Sequence, residues 1–496
     1  MIQLRGDDRG SMPLAMLLSI VGVTLSTLVG TVAVSQITEA RTSSDRAQAL
    51  IAAQAGITVA TGQFRAATDS TGTGDPARLP AGPLAGNVGP NGGGRYQVTI
   101  AYRDLDGNPL TVPLNAQPAT AVVVSTGIQA ATGAFQQGTN GTRTLQATYA
   151  FRLSNQNIPG GQIHVRSSAA DLCLDAGSAQ PVAGTPVQMR SCSGVPAPQI
   201  WAYNSDLTIS LVSSRTGINP LGMCLDAGSP HTAGAQVKMQ KCTATSPPPP
   251  QQQWSTNDSA NIMGTSNGST LDNYCFNVQS PDFAGSFVVL SNTKCNGNYD
   301  NVQTFQPDPA VGAGAAGPAT RQLVNYRQFG RCLDVTNQNV ASTYLIAWPC
   351  KQAPNPANIS WNQKWTLPPA VNGAHTATGR IYTTLNGTEY CLRSPGVTSG
   401  AYPTMTTCTS TSSTADQTWT VYGNTGSYTA SYQIVDNAGL CLAPADPTAY
   451  PTEVLPYTGP TVSRIVLRTC DGSAWQKWNA PPDVSKPSPL KQITER

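Results

Sequence analysis

A unit that occurs six times between Gln162 and Trp478 constrains the fold more than any other feature of this sequence. Each copy has a cysteine followed by Leu or Phe, a loop rich in Gly and Ser, an apolar segment, a second cysteine and a Gln-x-aromatic triplet. The triplets are Gln199-Ile200-Trp201, Gln252-Gln253-Trp254, Gln303-Thr304-Phe305, Gln363-Lys364-Trp365, Gln417-Thr418-Trp419 and Gln476-Lys477-Trp478. A unit of about 50–60 residues cannot bury its apolar face alone, so the copies are expected to pack around shared cores.

The repeat also accounts for all twelve cysteines, two in each copy. The simplest pairing joins the two cysteines of each copy, although other pairings are formally open. It comprises Cys173–Cys192, Cys224–Cys242, Cys275–Cys295, Cys332–Cys350, Cys391–Cys408 and Cys441–Cys470. Each bridge would stabilise the fold by about 3 kcal/mol. Zinc is not expected because no C-x-x-C cluster occurs, and the even cysteine count indicates an exported protein.

Composition argues against several functions. Charged residues make up 11% of the 496-residue chain and the net charge is +3, which does not indicate a nucleic-acid partner. Three histidines and four glutamates leave almost no material for a histidine metal cluster or a histidine-based catalytic site. Glycan hydrolysis needs two carboxylates about 5–9.5 Å apart, and the region 71–155 contains no Glu. We predict a non-catalytic protein without cofactor or metal; a glycan hydrolase or its accessory protein is the alternative.

An apolar run from Met12 to Val34 lies near the N-terminus. As a helix it would be about 34 Å long, enough to cross a hydrocarbon core of about 30 Å. The long polar body that follows favours an anchored protein with its C-terminal part outside the cell. A secretory signal cleaved near Ala33-Val34-Ser35 is the alternative and would give a secreted protein. Apolar residues at three- and four-residue steps extend the predicted helix to residue 67.

The N-terminal segment resembles those of type IV pilin-like proteins. The resemblance lies in Arg9-Gly10-Ser11-Met12-Pro13-Leu14-Ala15, the apolar run, and Asp45-Arg46-Ala47-Gln48-Ala49-Leu50. It implies a short leader, residues 1–11, that is cut after Gly10, a transmembrane and extended helix over 12–67, and pilin-like subunits as partners. Residues 68–155 contain the predicted strands 95–102, 119–126 and 142–153. They would form a small α+β pilin-like head, or a plain spacer.

The six units resemble the ricin-type β-trefoil lectins, a family named for its Q-x-W repeats. In that family three repeats close one β-trefoil and the triplet aromatics lie in the core. The resemblance implies two tandem β-trefoils, over 162–308 and 319–480. Segments 156–161 and 309–318 would be linkers and 481–496 a tail. A six-bladed propeller is the alternative closure.

The same resemblance implies sugar-binding residues. In the family, an Asp two residues after the first cysteine accepts hydrogen bonds from sugar hydroxyls. A Gln and an aromatic residue precede the second cysteine, and an Asn precedes the triplet. The fourth repeat is the most complete, with Asp334, Trp348, Asn362 and Gln363, and Trp348 is expected to be partly exposed. The first repeat has Asp175 and Gln188, and the second has Asp226. Each Asp could instead cap a turn.

We therefore predict a mainly β protein with a long N-terminal membrane helix, a small head and two trefoils. The expected function is non-catalytic binding of glycans or cell-wall polysaccharide at the cell surface, as an adhesin or a pilus-associated protein. The alternative is a structural minor pilin or envelope protein whose trefoils no longer bind sugar.

Overall fold

The computed structural model describes most of the chain. The described residues are 12–67, 75–88, 94–104, 107–114, 118–129, 141–151, 160–194, 196–216, 219, 221–295, 297, 299–369, 376–396, 398–409, 414–422, 433–455, 461–478 and 490–496, with only the backbone of 490–492. The predicted leader 1–11, with its cleavage position after Gly10, lies outside these residues, as do most of the predicted linker 156–161 and the segment 481–489.

One long helix, α1 (Met12–Ala66), begins the described chain. Its first part is apolar and exposed, and it contains a segment long and apolar enough to cross a membrane, none of which is buried. From Ala49 onwards one face is buried, at positions three and four residues apart that end at Phe64. This spacing is that of an amphipathic helix, so the second part of α1 packs against protein.

The partner of this buried face is an antiparallel sheet, the head sheet. Its strands are β1 (Leu84–Val88), β2 (Gly94–Arg103), β3 (Pro109–Leu110), β4 (Thr120–Gln129) and β5 (Thr142–Ala150), in the order β1-β2-β4-β5 with β3 beside β2. The three predicted strands correspond to β2, β4 and β5. Alternating residues of these strands, such as Val98, Val123 and Ala147, pack on Ile57 and Phe64 of α1.

The described residues of the first trefoil contain twelve short strands. They are β6 (Ile163–Val165), β7 (Leu172–Asp175), β8 (Gln188–Ser191), β9 (Trp201–Tyr203), β10 (Ile209–Leu211), β11 (Met223–Asp226), β12 (Lys238–Lys241), β13 (Trp254–Thr256), β14 (Ile262–Thr265), β15 (Leu271–Val278), β16 (Val288–Ser291) and β17 (Phe305–Pro307). They form three four-stranded antiparallel sheets, β17-β6-β7-β8, β9–β12 and β13–β16. Strand β17 begins at Phe305, the aromatic residue of the third triplet, but it pairs with β6 of the first repeat. The three repeats therefore close into a ring around Trp201, Trp254 and Phe305.

The second trefoil is less regular. Its strands are β18 (Arg331–Asp334), β19 (Ile346–Pro349), β20 (Thr376–Gly379), β21 (Tyr382–Leu385), β22 (Thr388–Arg393), β23 (Thr404–Thr407), β24 (Trp419–Tyr422), β25 (Gln433–Asp436), β26 (Leu440–Pro444), β27 (Val454–Leu455), β28 (Val462–Ser463) and β29 (Ile465–Thr469). They form the sheets β18-β19, β21-β22-β23, β20-β24-β25-β26-β29 and β27-β28. A bridge between Asn325 and Trp478 joins the first and last repeats, and Trp365, Trp419 and Trp478 share one core.

Six disulfides join the two cysteines within each repeat, which confirms the predicted pairing: Cys173–Cys192, Cys224–Cys242, Cys275–Cys295, Cys332–Cys350, Cys391–Cys408 and Cys441–Cys470. Five short 3-10 helices end on the Gln of a triplet: Ala197–Gln199, Pro250–Gln252, Trp361–Gln363, Ala415–Gln417 and Ala474–Gln476. The others are Pro76–Arg78, Val212–Ser214, Pro309–Val311, Pro318–Thr320, Thr336–Gln338, Pro356–Asn358 and Pro451–Glu453.

Two segments outside the repeats are tied to the rest of the protein. The C-terminal strand β30 (Leu490–Glu495), in the predicted tail, pairs antiparallel with β5 and extends the head sheet. The predicted linker 309–318 contacts both trefoils. Val311 lies in the core of the first, and the side chain of Gln352 in the second donates to the Ala313 carbonyl at 2.7 Å and accepts from the Ala315 N–H at 2.8 Å. The linker is therefore held in place.

Candidate functional site

The Gln-x-aromatic triplets hold each repeat together from inside. Each glutamine donates a side-chain N–H to a carbonyl one or two residues before the second cysteine, belonging to Ser191, Lys241, Thr293, Pro349, Thr407 or Thr469. The indole Nε1–H of each triplet tryptophan donates, at 2.8–3.0 Å, to the backbone carbonyl of the residue after the first cysteine, namely Leu174, Leu225, Leu333, Leu392 or Leu442. The glutamines and tryptophans of the triplets therefore tie the strands of each repeat to its core.

The first-repeat site consists of Asp175, Gln188 and Arg190. Asp175 lies at the end of β7, directly opposite Gln188 on β8. Its Oδ1 accepts from the Gly177 N–H at 2.7 Å and its Oδ2 from the Gln199 side chain at 3.0 Å. A carboxylate can accept about four hydrogen bonds, and Asp175 is only half-buried. The carboxylate is thus fixed in direction and keeps acceptor capacity towards solvent.

The second-repeat site repeats this geometry around Asp226. Its Oδ1 accepts from the Gly228 N–H at 2.8 Å and its Oδ2 from the Gln252 side chain at 3.0 Å. Lys238 lies opposite Asp226 on the neighbouring strand, where the first repeat has Gln188. Both aspartates therefore close a turn, as sequence reasoning allowed, and both present a half-buried carboxylate at the surface.

The fourth repeat has a different environment, although its sequence is the most complete. Asp334 is 2% exposed and accepts from the side chains of Gln363 at 2.8 Å and Asn362 at 3.1 Å. The ammonium group of Lys351 lies 3.3 Å from its Oδ2. The structure thus brings three of the four predicted residues of this repeat together, but it buries them.

The cover over this site comes from the first trefoil. Asp258, in the turn between β13 and β14, forms an ion pair with Lys351 and accepts from Asn362 at 3.0 Å. Burial raises the pKa of Asp334 to about 6, against the attraction of Lys351. Burial also opposes ionisation of Asp258, but Lys351 and hydrogen bonds keep the pKa of Asp258 below its usual value. One buried cation is therefore shared between two carboxylates from different trefoils.

Trp348 belongs to the same contact between the trefoils. It is 6% exposed and packs with Ala260 of the first trefoil and with Ile346 and Val462 of the second. The expectation of a partly exposed Trp348 is wrong, because the turn that carries Asp258 also places Ala260 against the indole. A backbone bridge between Thr256 and Gln352, with N–O distances of 2.9 and 3.1 Å, joins the trefoils at this point.

The remaining repeats lack the aspartate. Asn277 stands at its position in the third repeat and accepts from the Gln303 side chain at 3.2 Å, so an amide fits this position. In the fifth repeat Arg393 stands there and pairs with Asp416 at 2.8 Å, and in the sixth Ala443 is buried.

One group of potential metal ligands converges among the described residues, His164 with Cys173 and Cys192. The two sulfurs are bonded to each other, so neither is the thiolate that a metal requires. His164 instead contacts Asp171 through Nδ1 at 2.7 Å. We therefore assign this group a structural role.

Sequence reasoning missed Asp258 and Lys351. Lys351 follows the second cysteine of its own repeat, but Asp258 lies in another trefoil and belongs to no repeat motif. No local pattern connects the two residues. The packing of the trefoils alone brings them together.

The two bodies, each built from three repeats around one core, define the β-trefoil class of proteins. Consistent with this, residues 161–303 and 319–478 match the ricin-type β-trefoil lectin domain. These two matches cover more than half of the chain, which therefore belongs to this family, whose domains are generally non-catalytic.

Solved structures provide further likenesses. One is a non-toxic homologue of type II RIPs from Momordica charantia (bitter gourd), solved in complex with α-methyl-D-galactoside, at 16% identity over 66% of this chain and 99% of that chain, with a TM-score of 0.23. Another is the C-terminal half of an earthworm R-type lectin in complex with GalNAc, at 13% identity over 30% of this chain and 99% of that chain, with a TM-score of 0.22. A search of curated proteins finds no match.

Proposed function

We propose that this protein is a membrane-anchored, extracellular, non-catalytic carbohydrate-binding protein whose ligands are glycans or cell-wall polysaccharide. Membership of the lectin family supports carbohydrate binding. Six disulfides support an oxidising compartment outside the cytoplasm, and the apolar part of α1 supports an anchor. A cleaved signal, and hence a secreted protein, is the alternative.

The observation that carries the proposal is the matched geometry of Asp175 and Asp226. In each case one turn N–H and one triplet glutamine hold the carboxylate, and the group faces solvent. Two neighbouring hydroxyls of a sugar need acceptors that are fixed before binding, because each bond must replace bonds to water. Two such sites on one trefoil would also strengthen binding to a repetitive polysaccharide.

We place the binding sites on the first and second repeats. Sugar contact by Asp334, Trp348, Asn362 and Gln363 stays a prediction, since it would require the turn carrying Asp258 to move away.

Retention on immobilised glycans tests this proposal with variants that preserve the fold. Asp175→Asn and Asp226→Asn are suitable because the third repeat carries Asn277 at this position. Each single variant should bind about tenfold more weakly, the loss expected for a charge-assisted hydrogen bond, and the double variant should not be retained. The control is Asp446→Asn, whose carboxylate closes a similar turn at Thr448 outside the proposed sites. Unchanged retention of the double variant would reject these sites.

A structural role as a minor pilin is the second candidate. The observation in its favour is the head, in which the second part of α1 packs on an antiparallel sheet. If the wild-type protein binds no glycan on a broad array but is extracted from membranes or filaments together with pilin-like subunits, this candidate replaces the first.

A further inference from the structure

The three repeats of the first trefoil border one another through equivalent loops. In each of these repeats one strand carries the Asp or Asn. The loop after that strand lies against the strand before the second cysteine of another repeat. A glycine N–H makes the contact at 2.6–2.8 Å, from Gly285 to the Met189 carbonyl, from Gly184 to Met239 and from Gly234 to Leu290. Gln188, Lys238 and Val289 pair across the strands with Asp175, Asp226 and Asn277, and each acceptor is the residue directly after one of them. In the first trefoil, a loop from a different repeat therefore lies beside the strand that pairs with each Asp or Asn position.

The residue two positions before each of these glycines differs between the repeats that keep the aspartate and the repeat that does not. Phe283 lies in the loop that contacts β8 of the first repeat and is 61% exposed, and Val182 lies in the loop that contacts β12 of the second repeat and is 76% exposed. They are the two most exposed large apolar residues among the described residues of the first trefoil. Thr232 borders the third repeat, where Asn277 replaces the aspartate. Exposed apolar surface thus accompanies the two sites that keep the carboxylate.

The loop that carries Phe283 is held firmly. The neighbouring Asp282 accepts four hydrogen bonds of 2.8–2.9 Å, two from side chains of Ser167 and Ser168, one from the Ser168 N–H and one from Asn301. The Ser168 N–H and the serine hydroxyls lower the pKa of Asp282 to about 2, so this anchor stays charged at neutral and mildly acidic pH. An exposed phenylalanine on an anchored loop loses little freedom when it binds a ligand.

Phe283 of the third repeat and Arg190 of the first-repeat site both approach Gly285. A Cβ built on Gly285 would lie 3.8 Å from Cε1 of Phe283 and 3.9 Å from Nη1 of Arg190. Arg190 in turn donates to Gln188 at 2.6 Å, and Gln188 stands opposite Asp175. Arg190 occupies the position where the family resemblance implies an aromatic residue. The loop that carries Phe283 contacts the strand that carries Gln188 and Arg190.

We propose that Phe283, contributed by the third repeat, supplies the stacking surface for the apolar face of a sugar whose hydroxyls bind Asp175 in the first repeat. Val182 supplies a smaller apolar contact at the second-repeat site. The first-repeat site is therefore the tighter of the two. This inference rests on the proposed function, since it names the specificity residue of the same site.

The test uses the full chain in detergent with Asp226→Asn, so that the first-repeat site is measured alone. The probes are methyl α-D-galactoside, methyl α-D-mannoside and N-acetylglucosamine, titrated by calorimetry and ligand-observed NMR. Phe283→Ala should weaken binding of the sugar that binds best by about five- to tenfold, as expected for a lost aromatic contact. Phe283→Trp should retain it. Leu221→Ala, at another exposed apolar residue of this trefoil, should have no effect.

The fluorescence of Phe283→Trp gives a readout that a structural role would not change. In the Asp226→Asn background this exposed tryptophan should shift to shorter wavelength when the sugar is added, and the shift should vanish after Asp175→Asn. If Phe283→Ala binds as tightly as its parent while Asp175→Asn abolishes binding, the inference is wrong and the proposed function stands. If none of the sugars, nor any glycan on an array, binds the wild type, both fail.

Discussion

At the scale of single residues, the surroundings of a carboxylate determine what it can bind. Asp175, Asp226 and Asp334 occupy the same position of the repeat, and each accepts from the triplet glutamine. The first two are half-buried beside open turns. Asp334 is buried beneath Lys351 and Asp258, and its carboxylate pairs with the buried ammonium group of Lys351.

Substitution Asp334→Asn should change the pH dependence of stability. The pKa of Asp334 is about 6 in the folded protein, against an ordinary value of 3.8, so the folded state holds this proton more tightly than the unfolded state. The stabilisation of the folded state by this protonated carboxyl is fully present below pH ~4 and is lost as the pH rises through about 6. Denaturant unfolding should show the wild type losing on the order of 2 kcal/mol relative to the variant between pH 4.5 and 7.5. Parallel curves would contradict the assignment.

At the scale of elements, small residues set the distance between α1 and the head sheet. A Cβ on Gly127 of β4 would lie 1.9 Å from the Ala49 carbonyl oxygen, whereas a Cβ on Gly62 of α1 would meet nothing within 4 Å. The helix and the strand therefore touch backbone to backbone at Gly127, and the second part of α1 is an integral element of the head.

These two glycines form a matched pair of tests. Gly127→Ala must push helix and strand apart and should destabilise the head by more than about 2 kcal/mol. Gly62→Ala adds a methyl group in open space within a helix and should stabilise the protein by about 0.5–1 kcal/mol. Hydrogen exchange of β4 and of residues 49–64 measures both effects in the detergent-solubilised protein. Equal exchange in the two variants would show that the close contact does not form.

At the scale of the whole molecule, contacts between distant segments join the parts. The trefoils share the Asp258–Lys351 ion pair, the Trp348 cluster and a backbone bridge. The C-terminal strand β30 crosses back to β5, where Glu495 also pairs with Arg143 at 2.8 Å. The second part of α1 and strand β30 therefore belong to one head, and the trefoils lie between these two elements in the sequence.

Asp258→Ala should loosen the contact between the trefoils. The variant leaves buried Lys351 with Asp334 as its remaining carboxylate, and removal of one partner from a buried ion pair is costly. Because Asp258 is partly exposed, we expect a loss of about 2 kcal/mol together with faster hydrogen exchange around Thr256 and Gln352. The control, Asp446→Ala, should leave exchange at these residues unchanged. If Asp258→Ala does the same, the ion pair does not hold the trefoils together.

Deletion of residues 490–496 should affect the head selectively. It removes β30 and exposes the backbone groups of β5, which makes a sheet edge prone to association. We expect lower protection of β5 from hydrogen exchange and more aggregation, with both trefoils unchanged. Loss of protection in the trefoils as well would mean that the strand stabilises the whole chain.

Much of the architecture could be predicted because it depends on short-range patterns. The triplets, the cysteine pairs and the strands of the head each follow from residues that are close in sequence, and the apolar period of α1 marks its buried face. The prediction of an exposed Trp348 failed because its neighbour Ala260 comes from another trefoil, and no repeat position records that contact. The role of β30 in the head was not anticipated for the same reason.

The sequence by itself determined that there are six repeated units, each with two cysteines and a Gln-x-aromatic triplet, and which of these units carry the aspartate. Only the tertiary structure decided which of those carboxylates meets solvent, since the turn with Asp258 covers one site and the loop with Phe283 borders another. The period and spacing of the apolar residues show which face of a segment must be buried. They do not show which other segment covers that face. Here the covering segment comes from a different repeat or a different trefoil, and only the packing of the whole chain brings the two together.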